Sequence, residues 1–242
     1  METTTYPPLE ILYQDDVMIA INKPSGLLVH KSPIDKRETR FALQELRNQI
    51  GQYVYPVHRL DKPTSGVLLF ALSKEVAQKL SLDFREGRVK KEYVAVVRGY
   101  CDEHGVIEHP LTQMLDTKAQ KEAGRTKEAQ EAITHYRCLA KVELPYAVSR
   151  YATTRYSLVA LTPKTGRKHQ LRRHMKHIDH HMVGDTKHGR GEHNQFFRKT
   201  FDVHRLLLHA NKISLAHPLT HLPLVIEAQY DRDFKRVVEL FG

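Results

Sequence analysis

The chain has 242 residues, enough for one substantial hydrophobic core, or one core with a small subdomain. Its 38 Lys and Arg against 28 Asp and Glu leave a formal charge of +10, which suits a polyanionic partner, nucleic acid above all, although a merely basic surface would read the same. Two isolated cysteines, Cys101 and Cys138, exclude a disulfide framework and fit a reducing cytosol, so a cytoplasmic location is expected. The start, METTTYPPLE, lacks the pattern of a signal peptide. The longest apolar run, VLLFAL, falls far short of the roughly 20 residues that span a bilayer.

In chain order, LEILYQDDVMIAINKPSG sets two short apolar segments either side of Asp15 and Asp16, the pattern of a β-hairpin, and KPSG ends the second strand with turn chemistry. In TRFALQELRNQI (39–50), Phe41, Leu43, Leu46 and Ile50 recur at near-helical spacing. VLLFALS shows no alternation, which predicts a strand buried on both faces. KEVAQKLSLDFREG is a helix by Val76, Leu80 and Phe84, with Gly87 suited to its C-terminus. KKEYVAVVRGY is a strand. Residues 112–129 are polar with no sustained apolar face and read as a mobile loop. Strands resume at AITHYRCLAKVEL and RYSLVALTP. A helix within TGRKHQLRRHMKHI follows, then a loop rich in Gly, His and Arg (184–194). LLLHANKISL and PLVIEAQY are strands, and RDFKRVVELFG is a final helix with Phe234, Val237, Val238 and Phe241 on one stripe. Strands outnumber helices, which predicts an α+β fold: a mixed, largely antiparallel sheet with flanking helices, as a single domain over residues 1–242.

Charge and chemistry meet at two places. In HRLDKPTSG (58–66), Asp61 lies between Arg59 and Lys62 at the threshold of a buried strand. Flanking cations favour a carboxylate over a carboxylic acid, so Asp61 suits a nucleophile or a base, not a general acid; a structural ion pair is the alternative. A glycosidase would need a second carboxylate at a set distance, and none is apparent. In the helix of TGRKHQLRRHMKHI, Leu171, Met175 and Ile178 form an apolar stripe, whereas His169, Arg172, Arg173 and Lys176 form a basic one. That basic stripe, with Arg167 in the preceding turn, is a candidate RNA contact or simply a solvated face. HMKHIDHH spaces His177 and His181 at i, i+4, but no HExxH or thiolate pair accompanies them, so no metal site is expected.

HRLDKPTSGVLLFALS, KKEYVAVVRG, PKTGRKHQLRRH and VGDTKHG stand in the order and approximate spacing of the RluA-type pseudouridine synthases, which this chain resembles from about residue 9 to about residue 229. LEILYQDDVMIAINKPSGLLVH resembles that family's first strands and RLLLHANKISLAHPLT its last motif. The resemblance implies that Asp61 carries the chemistry and that Arg59 fills the space left by the extruded base. It implies that Tyr93 stacks on the target uracil and helps remove its C5 proton. Arg172 would pair with the aspartate, and Leu171 would pack in the pocket. It implies no cofactor, because the reaction is an isomerisation. RKHQLRRH and GDTKHG resemble the variants of the tRNA-modifying branch, which implies uridine 65 of tRNA as the target, with ribosomal RNA as the alternative. DHHMVGD departs from the family's usual GHP, with His181 in the proline's place. About eight residues precede the first family-like strand, too few for the S4 domain of many relatives, so the core itself would hold the RNA. A monomer without a protein partner is expected. The competing expectations are an RNA-binding protein that needs no catalysis and a metal-dependent hydrolase.

Overall fold

The computed structural model describes residues 6–31, 38–113 and 128–242. The hairpin predicted around Asp15 forms from β1 (Glu10–Gln14) and β2 (Met18–Lys23). Asp15 makes the turn: its Oδ1 accepts from the backbone N–H of Val17 and Met18, both at 2.8 Å, as an Asx turn does. The helix α1 (Ala42–Ile50) follows, then the short β3 (Tyr55–Pro56), β4 (Ser65–Ala71) and α2 (Lys74–Arg85). All seven residues of β4 are buried, as the absence of alternation predicts. Val67 and Leu69 pack in one cluster with Val76 and Leu80 of α2. Leu68 and Phe70 pack in another with Ala42 and Leu46 of α1. One helix therefore covers each face.

Next come β5 (Lys90–Arg98), β6 (His104–Glu108), β7 (Leu111–Thr112), β8 (Ala129–Gln130), β9 (Ile133–Leu144) and β10 (Thr154–Pro163). They are followed by α3 (Gln170–His177), α4 (Gly191–Phe201), β11 (Leu208–Ala216), β12 (Pro223–Glu227) and α5 (Arg232–Val238), with a 3₁₀ turn over Glu239–Phe241. The main sheet has ten strands. Its path runs β1-β2-β4-β11-β5-β10-β9-β6, with β12 on β11 and β3 on β4. β4 and β11 run parallel and the other named pairs are antiparallel, so the mixed, largely antiparallel α+β fold forms as expected. On the β5–β10 half, Leu171 and Met175 of α3 cover one face with Val97, Val159 and Leu161. Phe197 of α4 and Phe234 and Val237 of α5 cover the other with Val96, Tyr156 and Leu158.

The insertion of β11 between β4 and β5 builds the centre. Gly66 pairs with Ala210, Ala210 with Tyr93, and Tyr93 with Leu161, so one row crosses four strands. Two interstrand spacings put the Tyr93 backbone about 10 Å from that of Gly66. Gly66 has φ +109°, and a Cβ there would overlap the Ala210 carbonyl, so only glycine lets β4 and β11 meet this closely.

One expectation needs correction. The loop over 184–194 is interrupted: α4 begins at Gly191, because His193, Asn194 and Phe197 are drawn into the core. Polar composition hid that helix, since its buried polar groups are satisfied by distant partners; Tyr156 Oη, for instance, lies 2.8 Å from His193 Nδ1. Most of the loop expected over 112–129 lies outside the described residues, but its ends are strand: Thr112 pairs with Ala129 across β7 and β8.

Candidate active site

Asp61 sits in the connection between β3 and β4, which is stitched to the turn after β2. Gly26 N–H donates to the Lys62 carbonyl (2.9 Å), Ser25 Oγ to that of Pro63 (2.8 Å), and Thr64 N–H closes a turn on the Asp61 carbonyl (3.0 Å). Lys23, at the end of β2, is fully buried, and its ammonium donates to the carbonyls of Pro24, Leu27 and Lys62 at 2.9, 2.8 and 3.1 Å. Burial, and then the charge of Arg205, push it down to about 7, while the charge of Asp61 pulls the other way.

The cations beside Asp61 in sequence are not its hydrogen-bonded partners. Lys62 pairs with Glu38 at 2.5 Å. Arg59 is exposed, and after burial its charge helps hold His30 below the usual histidine range. The partner is Arg172, 111 residues away on α3, whose Nη1 donates to Asp61 Oδ2 at 3.1 Å. Arg172 is itself held by Asp185, with Nε on Oδ2 at 2.7 Å and Nη2 on Oδ1 at 2.8 Å, a bidentate fork. Asp185 is buried, and its Oδ1 also accepts from the backbone N–H of Lys187 and His188, both at 2.9 Å. Burial works against its charge, but the Arg172 hydrogen bonds and charge, with those two N–H groups, hold its carboxyl below the usual range. Burial opposes the charge of Arg172 as well, and the two carboxylates outweigh it.

Tyr93 is half-buried and packs against the clusters on both sides of the central row. Burial first, and then the charge of Asp61, push its phenol well above the usual tyrosine range, so it remains protonated at neutral pH. Leu171 is buried in the cluster that Tyr93 borders. His169, at the start of α3 with φ 54°, places Nε2 3.9 Å from Asp61 Oδ2. The fold therefore brings Asp61, Arg172 and His169 together, with Tyr93 in the field of Asp61.

The rest of the basic stripe disperses. Arg173 is tied to β7 through the Thr112 carbonyl (2.9 Å), Arg167 Nε donates to the Glu131 carbonyl (3.0 Å), and Lys176 is exposed on the last turn of α3. His177 stacks on His109 with ring centroids 3.8 Å apart, whereas His181 is buried beside Asp179, so their i, i+4 spacing does not converge on one face. In the proline's place, the His181 carbonyl accepts from Arg98 N–H at 2.9 Å and so ties that loop to the end of β5.

Sequence reasoning named neither Asp185 nor Lys23 as a site residue. The signal for Asp185 lay in VGDTKHG, a motif noticed without a role for its aspartate. The signal for Lys23 was a lysine closing the apolar strand MIAINK.

Comparison with known proteins adds to this geometry. Residues 17–177 match the model of the RNA pseudouridylate synthase family. The tRNA pseudouridine synthase C of Vibrio parahaemolyticus is 54% identical over 233 residues, covering 96% of this chain and 95% of that protein. The tRNA pseudouridine synthase C of Haemophilus influenzae is 50% identical over 234 residues, covering 97% and 98%. Among solved structures, Human RNA Pseudouridylate Synthase Domain Containing 4 superposes with a TM-score of 0.71 at 26% identity, covering 96% of this chain and 92% of that one. Human RNA Pseudouridylate Synthase Domain Containing 1 does so at 0.70 and 25%, covering 95% and 86%. Sequence, fold and the order of the motifs agree, and the chain belongs to the RluA-type RNA pseudouridylate synthase family.

Proposed function

We propose that this chain isomerises one uridine of tRNA to pseudouridine, at position 65, as a single catalytic domain that needs no cofactor, with Asp61 as the reacting carboxylate. The observation that carries the proposal is the Arg172–Asp61 contact at 3.1 Å, with the Tyr93 phenol in reach of the same charge. The tRNA assignment is supported by the names of relatives that match nearly end to end.

The reaction breaks the N1–C1′ bond, turns the uracil and joins C5 to C1′; C5 gives up its proton and N1 takes one, so atoms balance and the oxidation state is unchanged. A stacked uridine must first leave its helix, at a cost of about a few kcal/mol. Stacking on Tyr93, worth about 1–3 kcal/mol per base in comparable sites, offsets part of that cost. With the base out, Arg172 holds the Asp61 carboxylate toward the ribose. Its guanidinium is positioned beforehand by Asp185, so little reorganisation accompanies the reaction. Tyr93, a neutral phenol before the reaction, serves as a stacking surface and hydrogen-bond donor, and it takes part in removing the C5 proton as its own proton passes on. Leu171 closes the floor, Arg59 fills the space that the base leaves, and Arg167, Arg173 and Lys176 supply positive charge for phosphates.

The test is Asp61→Asn expressed in cells that lack the native protein, with pseudouridine mapped across tRNA and ribosomal RNA. Loss of a single tRNA site, with tRNA binding retained, is the expected result. Survival of every pseudouridine removes Asp61 from the chemistry, and loss confined to ribosomal RNA replaces the substrate.

A further inference from the structure

We infer that His188 is a positioning residue for the Asp61 centre: its Nε2–H donates to His169 Nδ1 and so fixes the His169 tautomer whose Nε2–H faces Asp61. This inference rests on the reading of Asp61 as the reacting carboxylate. The His169 Nδ1 and His188 Nε2 atoms lie 2.9 Å apart, with the rings edge to face at 83°. A bond between two imidazole nitrogens holds one proton, so one ring donates and the other accepts. Were His169 the donor, its bare Nε2 lone pair would point at a carboxylate oxygen 3.9 Å away, which is repulsive. With His188 donating, an N–H dipole points there instead.

Burial disfavours a second proton on either ring. Burial pushes His169 down to about 4, with the charge of Asp61 against it and those of Arg172 and Lys187 acting in the same sense as burial. Burial likewise lowers His188, opposed by Asp185 and assisted by Arg172, Lys187 and Lys176. The dipole, not a full charge, is therefore what His169 offers.

The backbone holds both rings in place. His169 occupies the left-handed region, unusual for a non-glycine residue, and its carbonyl accepts from Arg173 N–H at 2.9 Å as α3 begins. His188 is anchored by its own N–H on Asp185 Oδ1 at 2.9 Å. One buried carboxylate thus orients both donors that face Asp61: Arg172 directly, and His169 through His188.

The test uses the full chain labelled with ¹⁵N, reading ring tautomers from long-range ¹H–¹⁵N spectra, with His169 and His188 assigned from the His169→Gln and His188→Gln variants. His169 is expected protonated at Nε2 and bare at Nδ1. In His188→Leu, which keeps the backbone bond to Asp185, the Nδ1–H form should gain population. On an unmodified tRNA transcript, kcat should fall about tenfold in His188→Leu, the size of one hydrogen bond, and His188→Gln should recover most of the loss because its amide N–H can donate. Protonation of His169 at Nδ1 in the unaltered protein, or unchanged kcat in His188→Leu, overturns the inference. Asp61→Asn separates the two failures. If that variant is inactive while the tautomer is wrong, only the role of His188 falls; if it retains activity, the reading of Asp61 falls.

Discussion

Asp185→Asn isolates what the buried fork contributes. The substitution conserves volume and leaves one acceptor oxygen, but it removes the charge that compensates a guanidinium whose side chain is 5% exposed. It also turns an amide NH₂ toward donors, whether the Arg172 fork or the N–H groups of Lys187 and His188. Neutralising one partner of a buried pair costs about 3–5 kcal/mol. Against a folding free energy of roughly 5–15 kcal/mol, the variant should still fold at 25 °C. With an m-value of about 3 kcal/mol per M, its urea midpoint should drop by at least about 1 M.

The pH dependence of that gap has a definite sign. The Asp185 carboxyl is held below its ordinary value in the folded state, so its stabilisation is fully present above an unfolded pKa of about 3.9. It is lost as pH falls through the folded pKa. The difference between the native protein and Asp185→Asn should therefore be full at pH 7 and close on acidification below about 4. Arg172 would keep one of its three carboxylate bonds, so kcat should fall as well. Urea titrations at several pH values, with circular dichroism as the probe, decide the matter. A midpoint within about 0.3 M of the native protein at pH 7 would refute the assigned role of the fork.

Two further outcomes follow from the same geometry. Lys23 is held down to about 7 when folded and returns to about 10.4 when unfolded, so between these values the unfolded chain holds the extra proton. Stability relative to Lys23→Met should then rise as pH goes from 7 toward 10, read as urea midpoints at both ends. A flat difference would mean that the three carbonyls around the ammonium outweigh its burial. Gly66→Ala should destabilise the protein by more than about 2 kcal/mol, because the added Cβ meets the Ala210 carbonyl at a positive φ. An unchanged thermal midpoint would show that β4 and β11 can separate without loss.

Elements whose neighbours in sequence supply the pattern were legible from residues alone. The β1–β2 hairpin, the unbroken apolar run of β4 and the four-residue spacing along α2 follow from local periodicity and turn chemistry. Asp61 stood out because charge beside a buried strand demands a reason. What covers that charge was not local: the flanking residues did not reveal it, and only the family resemblance implied Arg172. Lys62 turned to Glu38, and Arg172 arrived from 111 residues away only because β11 inserts between β4 and β5 and α3 packs on the far half of the sheet. The same packing divided a stripe that looked uniform, turning Arg172 inward while Lys176 stayed exposed. It also made a helix of GEHNQFFRKTF, where Asn194 bridges the Gly184 N–H and the Asp185 carbonyl at 2.7 and 2.9 Å. By itself the sequence determined which residues could carry charge and chemistry and which segments would extend or coil. Tertiary structure decided which charges meet, because an ion pair depends on distance and burial, and neither is set by separation along the chain.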